Sequence, residues 1–224
     1  MAVHAKFEII IVGRHPVNLN VIRKYMGERW MKTFKHKTLG TFTQRDDYDE
    51  LRWETELVLP AFSAFKYTAN GKTRRSAKVP VAIYSDGPPP KSALKMLTII
   101  KTSQKKLVKN ICDTFYRDLH QQGYDDLPQR DDGYGMWWSR DPVTVALRCR
   151  KVLEKRLKQD RIWQPEDLLA VLYEPSVEVY PSMVDGLGVP RTLIDLGAEF
   201  EEEHGVAVLT DGKKVLSLGY SGEA

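Results

Sequence analysis

Cysteine is scarce in this chain, and so are the motifs that would let its chemistry be named at sight. The 224 residues hold two cysteines, Cys112 and Cys149, in separate stretches of helical pattern. That argues for free thiols in a reducing compartment rather than a disulfide framework. The run Ile9-Ile10-Ile11-Val12 is far shorter than the roughly 20 apolar residues a bilayer crossing needs. The opening Met1-Ala-Val-His-Ala-Lys-Phe-Glu is too polar for the apolar region of a secretory leader. A cytoplasmic protein with no membrane role is therefore expected. No internal repeat and no low-complexity tract is present. Gly13-Arg14-His15-Pro16 lacks the lysine and second glycine of a phosphate loop. No nucleophile elbow is found, and no His-x-x-x-His or Cys-x-x-Cys spacing suggests zinc. No metal, no cofactor and no catalytic residue is predicted.

The composition is that of a globular domain, with 42% hydrophobic and 29% charged residues in 25.7 kDa, enough to bury a core. The net charge of +4 is unevenly placed. Residues 1–45 carry nine Lys or Arg against two Glu, or +7, and residues 166–203 carry ten acids against Arg191, or −9. Such asymmetry can steer a charged partner, although two solvated faces of opposite sign explain it as well.

Periodicity predicts a strand at residues 7–12, then a helix capped by Asn18 with Leu19, Ile22, Met26 and Trp30 on one face. A further strand is read at residues 39–43. Residues 51–59 alternate cleanly: Leu51, Trp53, Thr55, Leu57 and Leu59 share one face, and Arg52, Glu54 and Glu56 the other. Strands at 65–68 and 79–84, joined across Asn70-Gly71, suggest a meander, with Pro80 placing the last at an edge or an irregularity. After Asp86-Gly87-Pro88-Pro89-Pro90 a long helix is predicted from about Ser92 to His120, its apolar stripe interrupted by Gln104. Residues 123–141 read as a loop. A second helix from Asp141 to about Gln159 would bury Val145, Cys149, Val152 and Leu157. A short third helix follows Pro165, then strands at 176–180 and from Thr192 to the end. The fold class expected is α+β: an antiparallel sheet from N- and C-terminal strands, packed against two or three helices from the middle of the chain. Residues 1–38 form a strand–helix extension and residues 39–224 a single α+β domain.

The run Ile194-Asp-Leu-Gly-Ala-Glu-Phe-Glu-Glu-Glu-His-Gly-Val-Ala-Val-Leu209, with the hairpin ending Val215-Leu-Ser-Leu-Gly219, resembles the closing signature of a family of bacterial domains of unknown function. Members tend to end in Trp-Asp-x-Glu-His-Gly-x-Gly-Val. Trp53 with Leu59-Pro60, and Asp86-Gly87-Pro88-Pro89 before a long helix, match two further elements in order. Phe200 and Glu201 replace the usual tryptophan and aspartate, Ala198 a frequent cysteine, and Ala207 the second glycine. Some relatives are associated with toxin–immunity systems, so the resemblance implies an antitoxin-like binding role.

Glu201, Glu202, Glu203 and His204 concentrate ionisable groups at one corner. Strand alternation puts Glu202 and His204 on one face and Glu201 with Glu203 on the other, too few ligands for a metal. The structural alternative is a turn built around Gly205. Trp137 and Trp138, adjacent in a glycine-bearing loop, offer an aromatic surface, or close over the core edge. The expected function is non-catalytic recognition of another protein, an immunity or antitoxin-like role, through Glu201–His204 and Trp137-Trp138. A basic partner, such as a toxin domain, would suit the acidic corner. The alternatives are an enzyme using His204 with a nearby carboxylate, and a disfavoured nucleic-acid interface on the basic helices, which lack a recognisable motif. Oligomeric state is not readable from the sequence.

Overall fold

The chain divides into two compact units, Met1–Met31 and Lys32–Ala224. The computed structural model describes residues 32–47, 50–69, 72–120, 148–149, 151–155, 164–184 and 189–219. The strand expected at 7–12, the helix from Asn18 and the Trp137-Trp138 loop lie outside the described residues.

Within the described residues, the strands are β1 (Thr33–His36), β2 (Gly40–Asp47), β3 (Glu50–Val58), β4 (Tyr67–Ala69), β5 (Lys72–Arg74), β6 (Lys78–Tyr84), β7 (Leu172–Val184), β8 (Pro190–Ala198), β9 (Glu201–Thr210) and β10 (Val215–Gly219). Helix α1 (Lys91–His120) falls between β6 and β7. Eight strands form one sheet in the order β1-β2-β3-β6-β7-β8-β9-β10, while β4 and β5 make a separate hairpin. The class is α+β. The sheet is mixed, however, rather than antiparallel throughout: β6 and β7 run parallel, with Val81 opposite Val177. Parallel neighbours need a long crossover, and the stretch holding the 30-residue α1 supplies it.

The strand read at residues 39–43 is the first half of β2, and β1, ahead of residue 38, pairs with it as a hairpin. Gly40 takes φ +92° at the turn, a conformation that costs glycine little. His36 closes the turn, its Nδ1 accepting from the backbone N–H groups of Thr38 and Leu39, both at 3.3 Å. In β3 the expected alternation holds: Trp53 and Leu57 are buried, and Leu59 follows them into the core ahead of Pro60.

Two strand expectations are corrected. Residues 67–69 pair with 72–74 across 70–71, outside the main sheet, so β3 is followed in the sheet by β6 directly. Pro80 lies in an interior strand, not at an edge. It is tolerated because the register with β7 begins only at Val81; at Pro80 the strand is paired on the β3 side, opposite Glu56. A missing donor disturbs least where a strand has one partner.

Helix α1 lays Ala93, Leu97, Ile100, Leu107, Ile111 and Phe115 into the core at helical spacing. Gln104, the polar break in that stripe, is a latch. Its Oε1 accepts from Ala61 N at 2.8 Å and its Nε2 donates to the Lys101 carbonyl at 2.9 Å. It thereby satisfies an amide at the start of the 3-10 turn Pro60–Ala64, a donor otherwise left without an intrahelical partner. Trp53 is also tied down, its indole N–H donating to the Gly87 carbonyl at 2.7 Å. The Trp53 and Asp86-Gly87-Pro88 elements are thus one physical unit. The second helix is described at residues 148–149 and 151–155, where Cys149 and Leu153 join the core and Val152 is half-buried. Pro165–Ala170 is a 3-10 turn with a Gln164/Asp167 capping box, ending before Tyr173. Among the described residues, no helix is long and apolar enough to cross a membrane.

Candidate functional site

The Glu201–His204 corner follows from a mismatch between β8 and β9. Ala198 pairs with Glu201 across the two-residue turn Glu199-Phe200, and the next pair is Leu196 with Val206. One residue of β8, Gly197, therefore faces four of β9, residues 202–205. Bulges of this kind re-aim side chains that a regular ladder would alternate. Two glycines make this one feasible. Gly205 has φ +65°, and a Cβ on it would stand 2.7 Å from the Leu196 carbonyl oxygen. A Cβ on Gly197 would run into the Tyr173 ring. The turn is anchored from beneath by buried Phe200 and by Glu199 N donating to the Val171 carbonyl at 2.9 Å.

The bulge overturns the expected alternation. Glu201 is not displayed outward: it is 5% exposed and closed at both oxygens. Arg148 Nη1 donates to its Oε2 at 2.9 Å, and His204 Nδ1 lies 3.3 Å from its Oε1. His204 is half-exposed, and its Nε2 faces Glu203 at 3.9 Å, with Glu203 almost fully in solvent. Glu201 and His204, assigned to opposite faces by period two, are brought together. Glu202 lies in the same bulge. The structure therefore gives an inner anchor, Glu201 with Arg148, and an outer pair, Glu203 and His204. By pattern alone Arg148 is one cation of a basic helix. No local pattern links it to a carboxylate 53 positions away.

A second constellation occupies the face of the sheet opposite the core, and it was missed by sequence reasoning. Arg45 stands opposite Arg52 and Arg52 opposite Tyr84. The β6–β7 register carries the row on to Tyr180, which faces Arg191 on β8. Tyr84 and Tyr180 stack with centroids 4.4 Å apart and planes 2° from parallel. Both hydroxyls donate to Glu178, Tyr84 to Oε1 at 3.1 Å and Tyr180 to Oε2 at 2.6 Å. Across the face, Arg52 Nε and Arg45 Nε donate to the two oxygens of Glu54 at 2.7 and 3.3 Å. Arg45, Arg52, Glu54, Tyr84 and Glu178 border a groove of about 570 Å³. The available signal was the polar side of β3, Arg52, Glu54 and Glu56. Nothing local shows which strands lie beside it.

The tyrosines titrate abnormally. Burial, reinforced by the Glu178 carboxylate, pushes both Tyr84 and Tyr180 above the ordinary tyrosine range. A group whose folded pKa exceeds its unfolded value of about 10 contributes stability that is complete below that pH and is lost as pH rises toward the folded value. Ultraviolet titration of the ten tyrosines should show Tyr84 and Tyr180 ionising late. Glu178→Gln should bring both down by removing the negative charge beside them. Late ionisation that persists unchanged in that variant would refute the assignment.

Both cysteines are free and buried. Burial pushes the Cys112 thiol up to about 12 and Cys149 higher still, so neither is a thiolate nucleophile at neutral pH. Among the described residues, no three His, Cys, Asp or Glu side chains are grouped as metal ligands. Compared with known proteins, the chain matches no family model, no curated protein and no solved structure.

Proposed function

We propose that this chain is a non-catalytic recognition module that binds another protein through the β8–β9 corner, acting in the cytoplasm. The observation that carries the reading is the bulge at residues 202–205: one glycine of β8 opposes four residues of β9, and a buried ion pair fixes the base. A rigid base lets exposed side chains meet a partner without the ordering cost that a mobile loop incurs. Glu203 and His204 form the contact, and Glu201 positions them. The partner is a protein with a basic surface, because residues 166–203 carry −9. Such a field raises association rates and weakens as salt screens it. The C-terminal resemblance makes a toxin domain the specific candidate, with this chain as its immunity or antitoxin-like factor. Trp137 and Trp138 remain part of the proposed surface.

A second reading has one observation in its favour: the Glu201–His204 contact resembles a carboxylate-oriented imidazole, the arrangement that tunes a general base. In that arrangement the carboxylate serves the imidazole; here Glu201 also holds Arg148. That favours a structural anchor.

The test is co-purification from the native host with the wild-type chain and a Glu203→Ala/His204→Ala double variant. Recovery of a specific partner should fall at least roughly tenfold, the loss expected when central contacts are truncated. Equal recovery by the two chains would refute the assignment of the corner.

A further inference from the structure

We propose that the groove on the open face of the sheet is a binding site for an uncharged, hydroxyl-rich ligand, a short oligosaccharide, held by Glu54 and Glu178. This site is separate from the β8–β9 corner and does not depend on it. Three observations converge.

The first is shape. Ala82 lies at the centre of a lateral row, opposite Glu54 on β3 and beside Glu178 on β7. Its methyl group leaves a slot between two carboxylates whose strands are roughly 10 Å apart, two inter-strand spacings. Pro80 continues the floor, and Tyr84 closes one end. The volume of about 570 Å³ falls within the roughly 300–1,000 Å³ of small-molecule sites, room for two or three sugar rings.

The second is charge. Both signs line the groove, Arg45 and Arg52 against Glu54, Glu56 and Glu178, and Lys78 outside the lining pairs with Glu56. Each carboxylate already has its own partners: Glu54 both arginines, Glu56 Lys78 at 3.7 Å, and Glu178 both tyrosine hydroxyls. A charged ligand of either sign would meet groups of its own sign within the groove. A neutral one meets no such penalty.

The third is hydrogen-bonding capacity. An ionised carboxylate accepts about four hydrogen bonds. Glu54 and Glu178 each use one site per oxygen within the protein, so each retains acceptor positions toward the slot. Their orientation is fixed by the bonds already made, which limits the entropy lost on binding. Thr41, Thr43 and Ser176 add hydroxyls along the rim. The groove thus asks for a neutral molecule with many donors. A sugar carries a hydroxyl donor on most of its carbons, several per ring, whereas a peptide backbone offers one donor per residue.

The full-length chain, isotope-labelled, is titrated with maltotriose, cellotriose, chitotriose and xylotriose at millimolar concentration, and in parallel with hexalysine and hexaglutamate. At least one trisaccharide should shift the amide signals of Thr43, Glu54, Ala82 and Glu178, and neither charged peptide should. Ala82→Leu, which fills the slot, and Glu178→Gln should each weaken that binding by about tenfold or more, with native melting curves as the control for folding. Should Glu178→Gln melt early, Thr43→Ala tests the opposite rim and should weaken binding severalfold. Absence of shifts with all four sugars, preferential binding of a charged peptide, or sugar binding indifferent to Ala82→Leu overturns the proposal. Partner recovery through the corner is measured separately, so either reading can fail while the other stands.

Discussion

A Gly205→Ala chain should unfold about 3 kcal/mol more easily than wild type, a large share of a single domain's stability. Two costs combine. Gly205 has φ +65°, a region that alanine enters only with strain. Its new Cβ would also lie 2.7 Å from the Leu196 carbonyl oxygen, an atom of the neighbouring backbone rather than the end of a flexible side chain. Strand β8 cannot withdraw without breaking the Leu196–Val206 pairing beside it. Relief can come only by changing the bulge, so Glu203 and His204 should move with it. Urea denaturation measures the first effect, and amide chemical shifts at residues 201–206 the second. A variant as stable as wild type, with unmoved shifts, would show that the bulge does not require glycine.

Arg148→Ala should cost about 2 kcal/mol, and Glu201→Gln clearly less. The order follows from unequal burial: the Glu201 side chain is 5% exposed and Arg148 48%. Removing the arginine strands a carboxylate away from water, with His204 Nδ1 beside it at 3.3 Å. Replacing the carboxylate by an amide leaves a guanidinium that water can reach, and the amide oxygen still accepts from it. The direct worth of a pair with one half-exposed partner is small, so most of the cost is desolvation of the anion. Parallel urea melts of both variants decide the matter. A larger loss in Glu201→Gln than in Arg148→Ala would contradict the buried-anchor assignment.

Elements governed by local periodicity were legible in the sequence. The alternation from Leu51 to Leu59, the stop at Pro60 and the long helix after Pro90 all depend on neighbours within a few residues, whereas the turn expected around Gly205 lies at Glu199-Phe200 instead. Whatever depends on distant partners was not. Nothing near Tyr84 or Tyr180 announces that β6 and β7 run side by side, so the stacked pair and its shared Glu178 were invisible. Pro80 reads as an edge or an irregularity because proline usually marks one or the other; only the sheet order shows that the strand is interior and that β7 begins its pairing one residue later. Gln104 interrupts the apolar stripe, and only the tertiary fold supplies the reason, Ala61 N at its side-chain oxygen.

The corner itself shows where pattern reading breaks down. Period two assumes a continuous ladder, and Gly197 facing residues 202–205 removes that assumption. Glu201 therefore turned inward although it had been grouped with the outward acids. The glycine at position 205 was the clue, since a glycine inside a strand pattern often marks a bulge. The burial of Glu201 depends on Arg148, which only the tertiary fold brings near.

Hydrogen exchange on the full chain, alone and with its co-purified protein partner, tests the recognition reading most directly. Amides of residues 201–206 should exchange more slowly in the complex, and the slowing should vanish when Glu203 and His204 are both replaced by alanine. A complex whose protected amides lie wholly elsewhere, with that segment exchanging as in the free chain, would contradict it.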